Sequence, residues 1–147
     1  MDHIKGSQNQ IDWKHFLKSG DRIFIGSNAA VPNALMDQLI DEQASALNDI
    51  EVFHILTLGE NRWAQKQYQD TFTLNMLFLG QGTTEAVHEG YADYTHCFLS
   101  EIPSLFHDKT LSIDVALISV NPPDPHGYCS LGVSVDVVHA ASRSARN

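Results

Sequence analysis

The chain has 147 residues, 43% hydrophobic and 18% charged, and its nine basic and eighteen acidic residues give a net charge of −9 at pH 7. That is the length of one domain, with enough apolar surface for a core and too much for intrinsic disorder. Scattered Lys and Arg exclude an electrostatic footprint for nucleic acid or an anionic membrane, although backbone N–H groups of an acidic chain can still hold one phosphate. The two cysteines, Cys97 and Cys129, form no CxxC pair and read as reduced thiols. Met1-Asp2-His3-Ile4-Lys5 lacks a signal-peptide pattern, and no apolar run approaches the ~20 residues needed to span a bilayer. A soluble, cytoplasmic protein is expected.

In chain order, Asp12 is placed to cap a short helix carrying Trp13, Phe16 and Leu17 on its apolar face, with Gly20 closing it. Ile23-Phe24-Ile25 reads as a strand entering Gly26-Ser27-Asn28-Ala29-Ala30-Val31-Pro32, and Pro32 suits the first turn of a helix. Leu35, Leu39 and Ala46, with Met36 and Gln43 near the boundary, give that helix a one-sided stripe. Ile50 to Leu58 is the second strand and ends in Thr57-Leu58-Gly59-Glu60-Asn61; Arg62 to Asp70 shows no period. Phe72 to Leu79 reads as a third strand despite Asn75 within it. It leads into Gly80-Gln81-Gly82-Thr83 and a helix from Thr84 to Glu89, stopped by Gly90. Tyr91 to Cys97 gives a brief fourth strand, and Ser100 is placed to cap a helix through Phe106 that holds Pro103 in its first turn. Val115 to Val120 is the fifth strand.

That strand opens into Asn121-Pro122-Pro123-Asp124-Pro125-His126-Gly127-Tyr128-Cys129-Ser130-Leu131-Gly132, stiffened by three prolines and followed by a helix from Ser134 to about Arg146. Alternating strands and helices predict an α/β fold of three layers, a mostly parallel sheet with helices on both faces. A final helix with no strand after it leaves the next strand to another chain or a further segment, and an open edge invites pairing.

The loops Gly26 to Pro32, Thr57 to Asn61, Gly80 to Thr83 and Asn121 to Gly132 all follow strand C-termini, which converge at one edge of a parallel sheet. Two readings of the first loop stand side by side. It presents backbone N–H groups with Ser27 and Asn28 to a carboxylate or thioester oxygen, or it is a plain strand-to-helix turn capped by Ser27 or Asn28. His54 reads as a hydrogen-bonded core or near-site histidine rather than a base, and Glu60 as a solvated loop charge rather than a nucleophile. His126 and Cys129 have HxxC spacing, but zinc needs three or four protein ligands and no other Cys or His pair lies at ligand spacing.

Ser19-Gly20-Asp21-Arg22 into Gly26-Ser27, and His54-Ile55-Leu56-Thr57-Leu58-Gly59, resemble the acetyl-CoA hydrolase/transferase family. The likeness continues through Phe78-Leu79-Gly80, Glu89-Gly90, Ala92-Asp93-Tyr94-Thr95 and Ser100-Glu101-Ile102-Pro103. It culminates in Pro122-Pro123-Asp124, His126 to Gly132, and Val135-Asp136. The resemblance implies one of two related α/β domains of a class I CoA-transferase, with the chain cut before the next strand and the catalytic second domain. It implies CoA transfer between an acyl-CoA and a small carboxylate, or acetyl-CoA hydrolysis, through a glutamyl-CoA intermediate. The glutamate would lie outside this chain, leaving no catalytic residue in it. The substrate pocket would take Gly26, Ser27, Asn28, Thr57, Gly80, Gly82, His126 and Gly127, with no metal and no bound cofactor beyond the CoA thioester as substrate. The implied partners are acyl-CoA, a small carboxylate and the missing C-terminal domain, in a homo-oligomer. Thr84 stands where the family often has arginine, and Asn121 where serine is commoner. The competing reading is a non-catalytic module that binds a carboxylate or acyl-CoA or serves in interactions; a further one is a redox or metal protein using His126 and Cys129.

Overall fold

The computed structural model describes residues 11–59, 61–80 and 83–147. Five strands, β1 (Arg22–Ile25), β2 (Ile50–His54), β3 (Phe72–Met76), β4 (Ala92–Tyr94) and β5 (Val115–Leu117), form one sheet in the order β4-β3-β2-β1-β5. All four pairings are parallel, with Phe24 opposite Phe53, Val52 opposite Leu74, and Phe24 opposite Ala116. The helices are α1 (Trp13–Phe16), α2 (Asn33–Gln43), α3 (Thr84–His88), α4 (Ile102–His107) and α5 (Val138–Ser144), with 3-10 turns at Arg62–Ala64 and Lys66–Tyr68.

Strand alternation divides the core in two, because successive side chains point to opposite faces. On one face Ile23, Ile25, Ile50, Val52, Leu74 and Met76 pack with Trp13, Met36, Leu39, Ile40, Trp63 and Ala86 from α1, α2, the first 3-10 turn and α3. On the other, Phe24, Phe53, Ile55 and Leu77 pack with Ile102, Phe106, Val138 and Ala141 from α4 and α5. The rings of Phe24 and Phe106 meet edge to face, with centroids 5.7 Å apart. The three-layer α/β architecture is therefore present.

Element boundaries moved in a consistent direction. β2 stops at His54, β3 at Met76, β4 at Tyr94 and β5 at Leu117, several residues before the apolar runs end. Those runs carry on past the sheet as exposed Leu58, Phe78, Leu79 and Val120. The Ser134-to-Arg146 helix begins only at Val138, because Asp136 bonds the Val137 and Val138 amides ahead of it. Pro32 is the N-cap of α2 rather than a first-turn residue, and Ala46 lies beyond the helix, with Leu47 buried in its place. Asp12 does stand at the N-cap of α1, though without a side-chain cap bond, whereas Glu101 rather than Ser100 occupies the N-cap of α4. Gly90, at φ +78°, does end the α3 segment, in a left-handed conformation open to glycine.

Asn75, awkward in a strand by propensity, belongs to a polar ladder across the α4–α5 face. Arg22 Nε donates to Glu51 Oε2 at 2.7 Å, Asn75 Nδ2 to Glu51 Oε1 at 3.0 Å, and Thr95 Oγ1 to Asn75 Oδ1 at 2.6 Å. After α5 the backbone returns to the open edge of β5. Asn147 N donates to Asp114 O at 3.0 Å and Ala116 N to Asn147 O at 3.0 Å, the alternation of a parallel pair. Arg146 anchors this return on Asp21 at 2.9 Å and Asp114 at 3.3 Å.

Candidate functional site

The C-terminal edge of a parallel sheet gathers the loops that follow each strand. After β1, Gly26 N donates to Leu117 O at 2.8 Å, Asn28 N to Leu56 O at 2.7 Å, and Ala30 N to Ser27 O at 3.1 Å. Asn28 adopts φ +54° and forms an isolated parallel bridge with Thr57, so the first two loops meet backbone to backbone. The amides of Gly26, Asn28 and Ala30 are thus committed within the protein. An oxyanion pocket cannot draw on those three in this arrangement.

Ser27 is completely buried, and its hydroxyl donates to Asp136 Oδ2. It lies below the edge, whereas Asn28 is half-buried and Ala29 exposed. Thr57 is buried with its Oγ1 unpartnered among the described residues. Gly80 follows β3, where its carbonyl accepts from Thr83 Oγ1 and Thr84 Oγ1, each at 3.1 Å. A Cβ on Gly80 would stand 2.4 Å from Leu56 Cδ1, so the absence of a side chain lets the second and third loops pack closely. Gly82 and Glu60 lie outside the described residues.

The Asn121-to-Gly132 loop projects from this edge. Asn121 N donates to Ser130 O at 2.9 Å and closes its base. At the tip, Asp124 Oδ1 accepts from His126 N at 2.9 Å and Tyr128 N at 2.8 Å, and Asp124 O accepts from Gly127 N at 2.9 Å. Gly127 turns the chain at φ +84°. Every residue from Asn121 to Ser130 is exposed, so His126 and Gly127 stand at a solvent-facing tip, in contrast to buried Ser27 and Thr57. Among the described residues no three His, Cys, Asp or Glu side chains gather as a metal site. Burial, and then nearby Glu101, push the Cys97 thiol pKa up, away from an activated thiolate.

His54 ends β2 on the α2 face, opposite Met76 of β3. It is 1% exposed and neither ring nitrogen has a partner among the described residues. Burial lowers its pKa to about 4, so the ring is neutral at pH 7. The sequence reading of a core histidine fits its burial, but not the hydrogen bond expected with it.

Asp136 is the residue that sequence reasoning passed over. In the sequence it belongs only to the family motif Val135-Asp136, yet in the fold it joins the first loop to the start of α5. Its signal was local: an aspartate just ahead of a helical stretch is a capping residue. The hollows at the opposite edge, about 290 Å³ beside Asp70, Thr73 and Asp93 and about 280 Å³ beside Lys109, Ser112 and Asp114, are open and lined by residues at or ahead of the strand starts, joined in the second by Ser144 and Arg146 from the end of α5 onward. They take no part in the C-terminal-edge arrangement.

Among the described residues, all ten exposed large hydrophobics, Leu58, Phe78, Leu79, Tyr94, Phe98, Leu99, Val120, Tyr128, Val133 and Val135, end a strand or lie in the segment after one. The loop edge is therefore rimmed by apolar side chains. Such concentration on one side is the mark of an interaction surface, since isolated exposed hydrophobics scatter.

Comparison with known proteins accords with this picture. Residues 9–147 match the model of the acetyl-CoA hydrolase/transferase N-terminal domain. A Fasciola hepatica succinyl-CoA:acetate/propanoyl-CoA:succinate CoA transferase is 47% identical over 131 residues, covering 88% of this chain and 27% of that protein. A Clostridium kluyveri 4-hydroxybutyrate coenzyme A transferase is 38% identical over 130 residues, covering 88% of this chain and 30% of that protein. The crystal structure of a Porphyromonas gingivalis 4-hydroxybutyrate CoA-transferase superposes with a TM-score of 0.69 at 28% identity, over 90% of this chain and 29% of that one. RipA from Yersinia pestis gives 0.78 at 25% identity, over 89% and 32%. The chain thus spans less than a third of the length of each of these relatives. It belongs to the acetyl-CoA hydrolase/transferase family and corresponds to that family's N-terminal domain.

Proposed function

We propose that this chain is the N-terminal domain of an enzyme that moves CoA between an acyl-CoA and a small carboxylate, or hydrolyses acetyl-CoA, and that it works jointly with a second domain. The observation that carries the reading is the apolar rim on the loop edge, which fits a surface closed by another domain over an acyl chain. The short span relative to its CoA-transferase relatives supports it. Gly26, Ser27, Asn28, Thr57, Gly80, Gly82, His126 and Gly127 are assigned to this half of the pocket. Within it, Asn28 and Thr57 form the polar floor, buried Ser27 holds the turn from beneath, and the Asn121-to-Gly132 loop reaches toward the second domain.

In the proposed reaction a glutamate of that domain attacks the thioester carbonyl and expels CoA thiolate, leaving an acyl-glutamyl anhydride. The thiolate then attacks the glutamyl carbonyl, releases the first carboxylate and leaves a glutamyl-CoA thioester. The acceptor carboxylate reverses these steps, or water hydrolyses the thioester. In this reading the chain supplies no nucleophile and helps bind the CoA thioester and the small carboxylate, with no resident cofactor or metal.

The test mixes the purified chain with the remaining part of the Fasciola hepatica relative and follows CoA transfer from acetyl-CoA to propionate and succinate. Turnover by the mixture, and by neither part alone, is expected. A glutamyl-CoA adduct found by mass spectrometry on the 147-residue chain alone would sink the assignment of the nucleophile. Carboxylate binding by calorimetry without turnover on complementation would favour the non-catalytic module.

A further inference from the structure

We propose that Asp136 is a positioning residue: through Ser27 it fixes the left-handed turn at Asn28 and so ties the loop after β5 to the loop after β1. This deepens the reading above and rests on it for the catalytic consequence. The contact joins residues 109 positions apart in sequence.

The two oxygens of the Asp136 carboxylate have separate tasks. Oδ1 accepts from Val137 N at 2.6 Å and Val138 N at 3.3 Å, while Oδ2 accepts the Ser27 hydroxyl. Because Oδ1 is held at the start of α5, the carboxylate cannot swing away from Ser27 without giving up those amides. The helix is itself pinned to the sheet, since Val138, Ala140 and Ala141 are buried in the cluster that contains Phe24 and Phe106. Helix position is thereby passed to Asp136, then to Ser27.

Ser27 passes it to the edge. A carboxylate oxygen only accepts, so the Ser27 proton is committed to Asp136. Complete burial keeps the serine from direct contact with a ligand in this conformation. The next residue, Asn28, holds φ +54°, in the left-handed region that non-glycine residues enter at a cost, asparagine at less than most. Its amide bond to Leu56 O at 2.7 Å secures it on one side, and the Ser27–Asp136 contact secures it on the other. Asn28 is the first polar side chain of this turn to approach the surface. Asp136 thus governs where that carboxamide stands without touching substrate.

The test compares Ser27→Ala, Asp136→Ala and the double variant. Ser27→Ala leaves the bonds at the start of α5 intact and keeps the test valid if Asp136→Ala fails to fold. In the chain alone, amide hydrogen exchange at Asn28 should speed up by about tenfold in Ser27→Ala, the usual scale for one hydrogen bond, while Phe53 stays unchanged. In the complemented enzyme, kcat should fall by about tenfold or more with the acyl-CoA KM nearly constant, and the double variant should be no worse than Asp136→Ala. Unchanged exchange at Asn28, or additive effects in the double variant, overturns the proposal. Inactivity of the complemented wild type with faster Asn28 exchange in Ser27→Ala instead removes the functional reading and leaves the positioning contact standing.

Discussion

Replacing His54 with leucine should change how stability depends on pH. The ring is 1% exposed, lacks a partner on either nitrogen among the described residues, and has its pKa lowered from 6.5 to about 4 by burial. Above pH 6.5 the ring is neutral in both folded and unfolded chains, and its full contribution to stability is present. As the pH falls below 6.5 the unfolded chain takes a proton that the folded chain refuses, so stability is lost until the folded ring also protonates near pH 4. The loss amounts to about 1.4 kcal/mol by pH 5.5 and about 3 kcal/mol by pH 4, from 1.36 kcal/mol per pKa unit. Leucine cannot take that proton, and it also ends the cost of burying two unpaired nitrogens. Urea unfolding of both proteins between pH 7.5 and pH 5.5, read as midpoint and slope, gives the difference directly. The gap should shift toward the variant as pH falls, which cancels the carboxylates common to both chains. A gap that stays constant across this range would refute a buried neutral ring.

Phe24→Ala should cost about 3–5 kcal/mol, because the ring is wholly buried and meets Phe106 edge to face; thermal melting would show it, and a loss under 1 kcal/mol would contradict the packing. Glu51→Ala removes the acceptor shared by Arg22 and Asn75 and should cost about 1–2 kcal/mol in urea unfolding, with little effect if the ladder is merely solvated. Asn28→Gly should leave stability unchanged or slightly raised, while Asn28→Ala should lower it by about 1 kcal/mol, since only glycine enters the left-handed region freely. Equal stability of the two Asn28 variants would argue against the positive φ.

Element type was readable because it rests on local pattern. Ile23-Phe24-Ile25, Val115-Ala116-Leu117 and the Thr84-to-Gly90 segment needed only hydrophobicity, propensity and a stop signal, and each appears near its expected place. Strand ends were not readable, because Leu58, Phe78 and Val120 are as apolar as the strands they follow. Only the neighbouring strands decide where hydrogen bonding stops. The candidate loops were found from the same alternation, since strand C-termini in a parallel sheet share one edge. How their groups are used was hidden: the Gly26, Asn28 and Ala30 amides are taken by the protein itself, and Ser27 is buried.

The sequence by itself determined a parallel α/β sheet, the four loops at its edge, and a long motif from Pro122 to Asp136 that carries the family likeness. The tertiary structure decided which of those residues reach the surface. Ser27 and Asp136 are 109 positions apart, and no local periodicity encodes a contact made by folding α5 against the sheet beside β1. A strand or helix follows from neighbours a few residues away, whereas a hydroxyl's partner follows from how whole layers pack.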